Sequence, residues 1–477
     1  ILPRQPDSVM PAVLVLLASS PLGLAVQQVA PRPRIGLGES WSLGRIAFSL
    51  LPLTGSDRRK TVETEVVKNK IWTHDQIQGV VNVNVPVRQT VIKLQDGGLW
   101  VHNPVAPTAE CIKMMRVLEE AHGEVKHIVL GTVGLEHKAL AGPASRAFPR
   151  ATVWLQPGQW SFPLPVWLPL LGFPSGARLR TLPTLGDEST ELPQWSEEIE
   201  LEVLGPLRFK LVGAFGETAF FHKATRTLLV TDTIVKVERA PPAVLVEDPR
   251  ALLFHARDDI GDVVANTPAM RERGWRRICI FGLTFYPSSI EVRLGALVAD
   301  RLRLPPSMES LGEGAVPFGL YPWRWAESEE ANFNALQGGP FVAPILQALI
   351  LNRFPDETLA WVERVSRWNF ARIIPCHMSN DISATPRDFS AAFEFLRAAG
   401  GEGEMARPAP SATASDGLVA QLQDLLSRLP PLPAPFAPST RRAPAPLEAD
   451  MYLLNSASDI CTRFGLVEEP KVPPAVS

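Results

Sequence analysis

The feature that most constrains this chain is an apolar run that leads into a polar loop and then a helix. Residues 125–130 are typical of a buried strand, and the loop that follows ends in Glu136 and His137. Open α/β sheets place functional side chains at such strand ends. The pattern predicts a metal or proton-transfer pair at Glu136 and His137, or alternatively a carboxylate that hydrogen-bonds the histidine only for structural reasons.

The segments around this loop alternate between strand and helix patterns. Strands are predicted at residues 62–67, 87–94 and 99–102, followed by a helix that Thr108 caps and Gly123 ends. A second run of strands is predicted at 201–204, 207–212, 218–222, 227–231, 281–287 and 372–375, with helices at 248–254, 342–352, 357–367 and 386–399. Two successive α/β halves that face each other predict a four-layer αββα sandwich.

The charge of the chain bears on its possible partners, and the distribution of its prolines indicates where a domain and its extensions lie. The net charge of −3 gives no electrostatic reason to expect nucleic acid. The 46 prolines are about twice the usual ~5% share and many of them lie in tails and loops. We therefore predict an N-terminal extension at 1–60, a domain at 61–400, and a C-terminal extension at 401–477 with helices at 416–429 and 450–465 around a proline-rich spacer at 430–446.

An apolar segment at residues 10–26 lies in the N-terminal extension. Pro11 and Pro21 interrupt it, and it is slightly shorter than the ~20 apolar residues that a membrane span requires. We expect a surface-lying or partner-bound segment, or the remainder of a targeting region, with a true span as the alternative.

The loop at Glu136 and His137 resembles the metal-binding turn of the metallo-β-lactamase superfamily. In that turn a strand ends in His-x-His-x-Asp-His and then runs into a glycine. Glu136 matches the aspartate and His137 the last histidine, whereas Thr132 and Gly134 stand where the other two histidines would be. Neither Thr132 nor Gly134 supplies a nitrogen ligand, so the chain departs from the pattern of a dinuclear zinc site.

Three further positions resemble the ligand positions of that superfamily, in the same order. Asp232 ends a strand, Glu217 takes the place of a histidine that precedes a hairpin, and His377 follows a late strand. The resemblance implies a candidate ligand set of Glu136, His137, Glu217, Asp232 and His377. Because three of these are carboxylates, one ion of iron, manganese or magnesium suits the set better than zinc, which stays possible.

A closer resemblance covers residues 61–400. Six phrases, at residues 71–73, 78–79, 105–108, 134–138, 159–163 and 368–375, are similar to an uncharacterised domain family of plants, algae and cyanobacteria within the metallo-β-lactamase-like group. The resemblance implies a metallo-β-lactamase-like αββα sandwich with proline-rich N- and C-terminal extensions. It also implies a chloroplast location, but no known reaction.

The loop at residues 156–174 is unusually apolar. It carries Trp160, Phe162, Trp167, Leu170 and Phe173 among several prolines. Contiguous exposed apolar area marks a contact surface, so we predict an interaction surface or a peripheral membrane contact here. The alternative is a lid that folds over its own domain.

Two functions follow from these observations. The favoured one is a non-catalytic protein that serves as a structural or assembly partner in the plastid, bound to protein partners of a thylakoid or photosynthetic complex. The alternative is a metal-dependent hydrolase or redox enzyme with an altered, carboxylate-rich mononuclear site. The enzyme hypothesis requires the candidate ligands to converge within about 5 Å, given ligand bonds of ~2.0–2.6 Å.

Overall fold

The computed structural model describes residues 60–80, 83–159, 167–184, 192–259, 262–293, 323–326, 329–397, 443–474 and 476. The predicted segments at 10–26 and 416–429, most of the predicted spacer, and the side chains of Trp160 and Phe162 lie outside these residues.

The first half of the domain forms a seven-stranded sheet in which neighbours along the chain are neighbours in space. The first four strands pair antiparallel and the last four pair parallel. A long hairpin of Ile71–Val80 and Val83–Lys93 lies next to the edge strand Val62–Val67. The strands are β1 (Val62–Val67), β2 (Ile71–Val80), β3 (Val83–Lys93), β4 (Leu99–His102), β5 (Val125–Leu130), β6 (Thr152–Leu155) and β7 (Leu179–Thr181).

Two helices cover the outer face of this sheet. Helix α1 (Ala109–His122) begins where the Thr108 side chain accepts a hydrogen bond from the Cys111 amide, and ends at Gly123. Helix α2 (Leu135–Ala147) follows the loop after β5. The buried faces of both helices pack on apolar side chains of the sheet in one continuous core.

The second sheet has five strands in the order β14 (Ile382–Ser383), β13 (Arg372–Ile374), β10 (Thr227–Leu229), β9 (Ala214–His222) and β8 (Ile199–Arg208). In this sheet β10 and β13 pair parallel, and the other neighbours pair antiparallel. The predicted strands at 201–204 and 207–212 are one strand with an irregular register between Leu204 and Leu207, and this strand ends at Arg208, so residues 209–212 are not part of it.

Large aromatic side chains fill the space between the sheets. Trp100 of β4 meets Phe220 of β9 edge-on with ring centroids 5.2 Å apart, and Trp195 packs against Trp100 and Trp154 at 5.6 and 5.9 Å. Aliphatic residues from both sheets complete this core. Such edge-to-face contacts add to the hydrophobic stabilisation of the buried rings.

The outer face of the second sheet carries the fourth layer. A large core joins this sheet to helices and to a small two-stranded ribbon. The predicted αββα order is therefore confirmed. The further elements are α3 (Ala243–Glu247), α4 (Arg250–His255), α5 (Pro268–Thr284), β11 (Ile290–Val292), β12 (Trp323–Trp325), α6 (Glu329–Ala335), α7 (Pro344–Leu349), α8 (Pro355–Val365) and α9 (Pro386–Ala391).

One predicted strand in this half is wrong. Residues 281–284 of the predicted strand 281–287 form the last turn of helix α5, which Pro268 begins and Thr267 caps. The apolar run Ile278–Leu283 is short, and a short apolar run does not separate a buried helix from a buried strand.

The described part of the predicted C-terminal extension packs on the domain. Helix α10 (Tyr452–Arg463) lies against α7, and Met451 and Leu454 are buried there. Buried Arg353 donates to the Ser458 hydroxyl at 2.6 Å and to the Glu468 carbonyl at 2.9 Å, which ties the segment to the second half. Among the described residues, no helix is long and apolar enough to cross a membrane.

Candidate metal centre

The strand ends that carry the candidate site are joined by Asn103, which follows β4. Its amide nitrogen donates to the Thr231 hydroxyl at 2.8 Å and lies 3.3 Å from the Cys376 sulfur. Its amide oxygen accepts from the Gly131 backbone at 2.9 Å. Asn103 has a positive φ of 43°, a conformation that asparagine tolerates better than most residues. One buried side chain thus fixes the ends of β5, β10 and β13 relative to one another.

Four side chains converge at this edge. Glu136, His137, Asp232 and His377 each offer one ligand atom, and these atoms all lie within 4.8 Å of one another. The Nε2 atoms of His137 and His377 are 3.1 Å apart. The Asp232 Oδ1 atom lies 3.2 Å from His377 Nε2 and 3.7 Å from His137 Nε2.

These separations fit a single ion. Two donors bonded at ~2.1 Å to one ion lie about 3.0–3.4 Å apart in octahedral or tetrahedral geometry. The distances among His137, Asp232 and His377 are within or close to that range. Glu136 is partly exposed and supplies the fourth candidate ligand from the first turn of α2.

A hydrogen bond sets the tautomer of His377. Its Nδ1 atom lies 2.9 Å from the backbone carbonyl of Pro86. Because a carbonyl only accepts, Nδ1 carries the proton, and Nε2 of the neutral ring keeps its lone pair for a metal ion. Metal-ligating histidines usually donate their other ring nitrogen in this way. The pairing therefore supports a ligand role for His377.

Without an ion, the cluster is held together by charge. Burial alone would raise the pKa of Asp232, but hydrogen bonds and charge interactions with His137 and His377 hold it well below its usual range. Burial would lower the pKa of His377, yet Asp232 raises it above its usual value. The negative charge of Asp232 thus stabilises a positive charge at His377, in the same cluster where a metal ion would be stabilised.

The structure does not bring the predicted ligand Glu217 into the four-residue cluster. Its two carboxylate oxygens accept from the backbone amides of Thr231, Asp232 and Thr233 at 2.8–3.0 Å and from the Thr233 hydroxyl at 2.6 Å. Burial, together with the nearby Asp232 charge, raises the pKa of Glu217 to about 7. Glu217 anchors the loop that presents Asp232.

Thr132 and Gly134, which stand where the superfamily pattern has histidines, make structural contacts in this chain. Thr132 forms a β-bridge with Glu217, and its hydroxyl accepts from the Gly134 amide at 3.0 Å. A Cβ atom at Gly134 would lie 2.9 Å from the Glu136 carboxylate, so the side chain of Glu136 folds over this glycine. Thr132 thus takes part in a contact between the two sheets, and Gly134 leaves room for the Glu136 side chain.

The predicted interaction surface is only partly exposed. Trp167 is 68% and Leu170 is 53% accessible, whereas Phe173 is 6% accessible. Phe173 packs in the core beneath α2, so its assignment to the surface is wrong. The short helical turn Leu168–Leu171 carries its buried residue Leu171 inward, which leaves Trp167 and Leu170 outside.

Two buried residues near the site were missed from sequence. Asn103 directly follows a predicted strand, and polar residues at the ends of strands are candidates for functional sites in open α/β sheets, so its position could have indicated its role. Arg88 lies within β3, is 1% accessible, and contacts the loop of His377. Its charge made it resemble a solvent-facing strand residue.

Comparison with known proteins shows the family. The family described as Domain of unknown function (DUF4336) matches residues 68–395. This chain belongs to the DUF4336 family. The match falls within the predicted domain at residues 61–400, and it confirms the resemblance to an uncharacterised domain. A search of curated proteins found no match.

Solved structures of similar fold share little sequence with this DUF4336 protein. A metallo-β-lactamase from Pontibacter korlensis is 10% identical with a TM-score of 0.33, and the match covers 70% of this chain and 99% of that one. The metal-soaked Flv1 flavodiiron core from Synechocystis sp. PCC6803 is 9% identical with a TM-score of 0.35, covering 72% and 62%. A mutant Flavo Di-iron protein from Thermotoga maritima is 8% identical with a TM-score of 0.34, covering 71% and 62%.

These likenesses concern the fold alone. The two facing sheets with helices on both outer faces give this DUF4336 domain the metallo-β-lactamase-like fold. The candidate metal centre of this chain is described by its own four side chains.

Proposed function

We propose that this domain binds one divalent metal ion through Glu136, His137, Asp232 and His377, and that it catalyses a hydrolysis. The convergence of the four ligand atoms within 4.8 Å carries the proposal. Two imidazoles favour iron, manganese or zinc over magnesium, and two carboxylates favour iron or manganese among these. An ion bound at such a site supplies a Lewis acid that polarises a substrate and activates water.

The residues of the chain have separable tasks. The Pro86 carbonyl holds His377 with its Nε2 lone pair directed into the cluster. The Glu217 anchor holds Asp232 through the backbone of residues 231–233. Glu136, Asp232 and His377 are partly exposed and His137 is buried, so a substrate would approach from the side that those three residues share. The carboxylate oxygen of Glu136 that does not bind the ion is available to hold a proton during the reaction.

Metal stoichiometry tests the proposal. The full-length protein is stripped with a chelator, loaded separately with Mn²⁺, Fe²⁺ or Zn²⁺, and assayed for bound metal by elemental analysis. We expect one ion per chain, and none in His137→Ala/His377→Ala. His222→Ala is the matched control, because His222 is fully buried and bonds Thr225 at 2.7 Å outside the four-residue cluster. Two ions per chain, or none in the wild type, would contradict the proposal.

We further propose that this protein works beside a protein partner in the chloroplast, at a thylakoid complex. The exposure of Trp167 and Leu170 supports a contact surface, and the resemblance to a family of plants, algae and cyanobacteria supports the location. Fractionation of isolated chloroplasts tests the location. Cross-linking of wild type and Trp167→Ser/Leu170→Ser in thylakoids tests the contact, which the double variant should lose.

A further inference from the structure

The loop that presents His377 leaves the second sheet at the end of β13 and has an unfavourable backbone. Met378 and Asp381 have φ values of 56° and 53°, in the left-handed region that non-glycine residues rarely adopt. Such a conformation persists only where the surroundings hold it. The loop therefore needs an external support if His377 is to keep a fixed position.

Arg88 of β3 supplies contacts to the carbonyls on both sides of His377. Its Nη1 atom donates to Pro375 O at 2.7 Å and to Ser379 O at 3.3 Å. Its Nη2 atom donates to Met378 O at 3.1 Å. Three backbone carbonyls within five residues thus accept from one guanidinium group.

The charge of Arg88 is balanced by Asp75 of β2. Arg88 Nε lies 2.7 Å from Asp75 Oδ1, and Nη2 lies 3.3 Å from Asp75 Oδ2. The four Nη N–H groups donate to the Pro375, Ser379 and Met378 carbonyls and to Asp75 Oδ2, whereas Nε contacts Asp75 Oδ1 as an ion pair without hydrogen-bond geometry. Arg88 is 1% accessible, so this geometry is shielded from water.

The same strand also fixes the ring of His377. Pro86, two residues before Arg88, accepts from His377 Nδ1 at 2.9 Å. β3 therefore controls both the ring orientation and the backbone path of one candidate ligand, although it belongs to the other sheet.

We propose that Arg88, paired with Asp75, is the positioning residue that sets where His377 enters the metal centre. The inference rests on the proposed metal-binding function. Arg88 touches the loop and not the ligand atoms, so it acts through His377. Lysine cannot replace it, because an ammonium group has three donors and lacks the planar fork.

The test compares two buried arginines. Arg353 is also 1% accessible and also donates to backbone carbonyls, but it holds the C-terminal segment. Affinity for Mn²⁺ is measured by calorimetry, and the Co²⁺ visible spectrum reports ligand geometry, in wild type, Arg88→Met, Arg88→Lys and Arg353→Met. Thermal unfolding of the metal-free proteins is measured in parallel.

We expect Arg88→Met and Arg88→Lys to weaken Mn²⁺ binding by roughly 10–100-fold and to change the Co²⁺ spectrum, as loss of outer-shell partners does. Arg353→Met should lower thermal stability and leave affinity and spectrum unchanged. If Arg88→Met does not fold, Asp75→Asn, which keeps the shape but removes the counter-charge, should weaken affinity in the same direction. If the folded Arg88 variants or Asp75→Asn bind Mn²⁺ as tightly as the wild type, the inference about Arg88 is overturned. If the wild type itself binds no metal, the proposed function is overturned instead.

Discussion

Gly142 lies where helix α2 passes against the backbone of the loop after β6. A Cβ atom built on Gly142 would lie 1.9 Å from the carbonyl oxygen of Leu171. Ordinary contact begins at 3.4 Å, so Gly142→Ala requires a displacement of about 1.5 Å (3.4 − 1.9). The obstacle is backbone, which cannot rotate away as a side chain would.

The expected cost has two opposing parts. Alanine stabilises a helix interior by about 1 kcal/mol relative to glycine. Overpacking typically costs about 1–3 kcal/mol, and the upper end applies where backbone has to move. We therefore expect Gly142→Ala to lower the free energy of unfolding by about 2 kcal/mol.

The same displacement acts on the metal centre, because α2 carries Glu136 and His137 in its first turn. Ligand distances in a metal site tolerate changes of only about 0.2 Å. We therefore expect Gly142→Ala to weaken metal affinity as well as stability.

Two other glycines provide controls. At Gly274 in α5 a Cβ atom would lie 1.8 Å from the Leu252 carbonyl, on the opposite outer layer, and at Gly339 it would meet no atom within 4 Å. Urea unfolding and Mn²⁺ calorimetry should show lost stability with normal affinity for Gly274→Ala, and no change for Gly339→Ala. A Gly142→Ala protein that is as stable as wild type would refute the reasoning.

Three more outcomes are expected. In metal-free protein the raised pKa of His377 stabilises the folded state; this contribution is complete below pH 6.5 and is lost as the pH rises through the pKa of His377 in the folded protein. Urea unfolding in the presence of chelator should show this loss of stability with rising pH. The variant His377→Gln should lack this pH dependence. Asp450→Ala should lower the free energy of unfolding by about 2–4 kcal/mol, because it removes a buried carboxylate that accepts from three donors. Urea unfolding measures this loss, and proteolysis of the C-terminal segment should become faster. A loss below about 1 kcal/mol would contradict the prediction. Trp167→Ser and Leu170→Ser should each change the free energy of unfolding by less than about 0.5 kcal/mol, because both side chains are exposed. Phe173→Ala should lower it by about 3–5 kcal/mol, because Phe173 is buried. Equal effects of the three substitutions in urea unfolding would contradict this difference in burial.

The sequence predicted the four layers because their signals are local. Alternating residues, the Thr108 cap and the Gly123 stop act within a few positions of the chain, and the structure has the helix they predict at Ala109–His122. The order of strand ends also brought Glu136, His137, Asp232 and His377 to one edge, since strand ends in a sheet meet there.

Other features depend on contacts between distant segments. The sequence placed Glu217 at the correct edge, but it did not show that three amides of residues 231–233 would take its carboxylate. Arg88 is buried only because Asp75 and the loop at residues 375–379 surround it. Phe173 was assigned to the surface with its neighbours, because an apolar loop does not reveal which of its side chains turns inward.

The role of Glu217 has a consequence for how this site could change by mutation. Replacing Glu217 with histidine would remove the acceptor of three amides and release the loop of Asp232. A histidine at position 134 would displace Glu136, and one at 132 would replace the Thr132 hydroxyl that accepts from the Gly134 amide. Each single substitution toward a two-ion centre would therefore disturb the contacts that hold Asp232 or Glu136. Under the proposed one-ion function these substitutions would be epistatic, because each would weaken the existing ligand set before a second ion could bind.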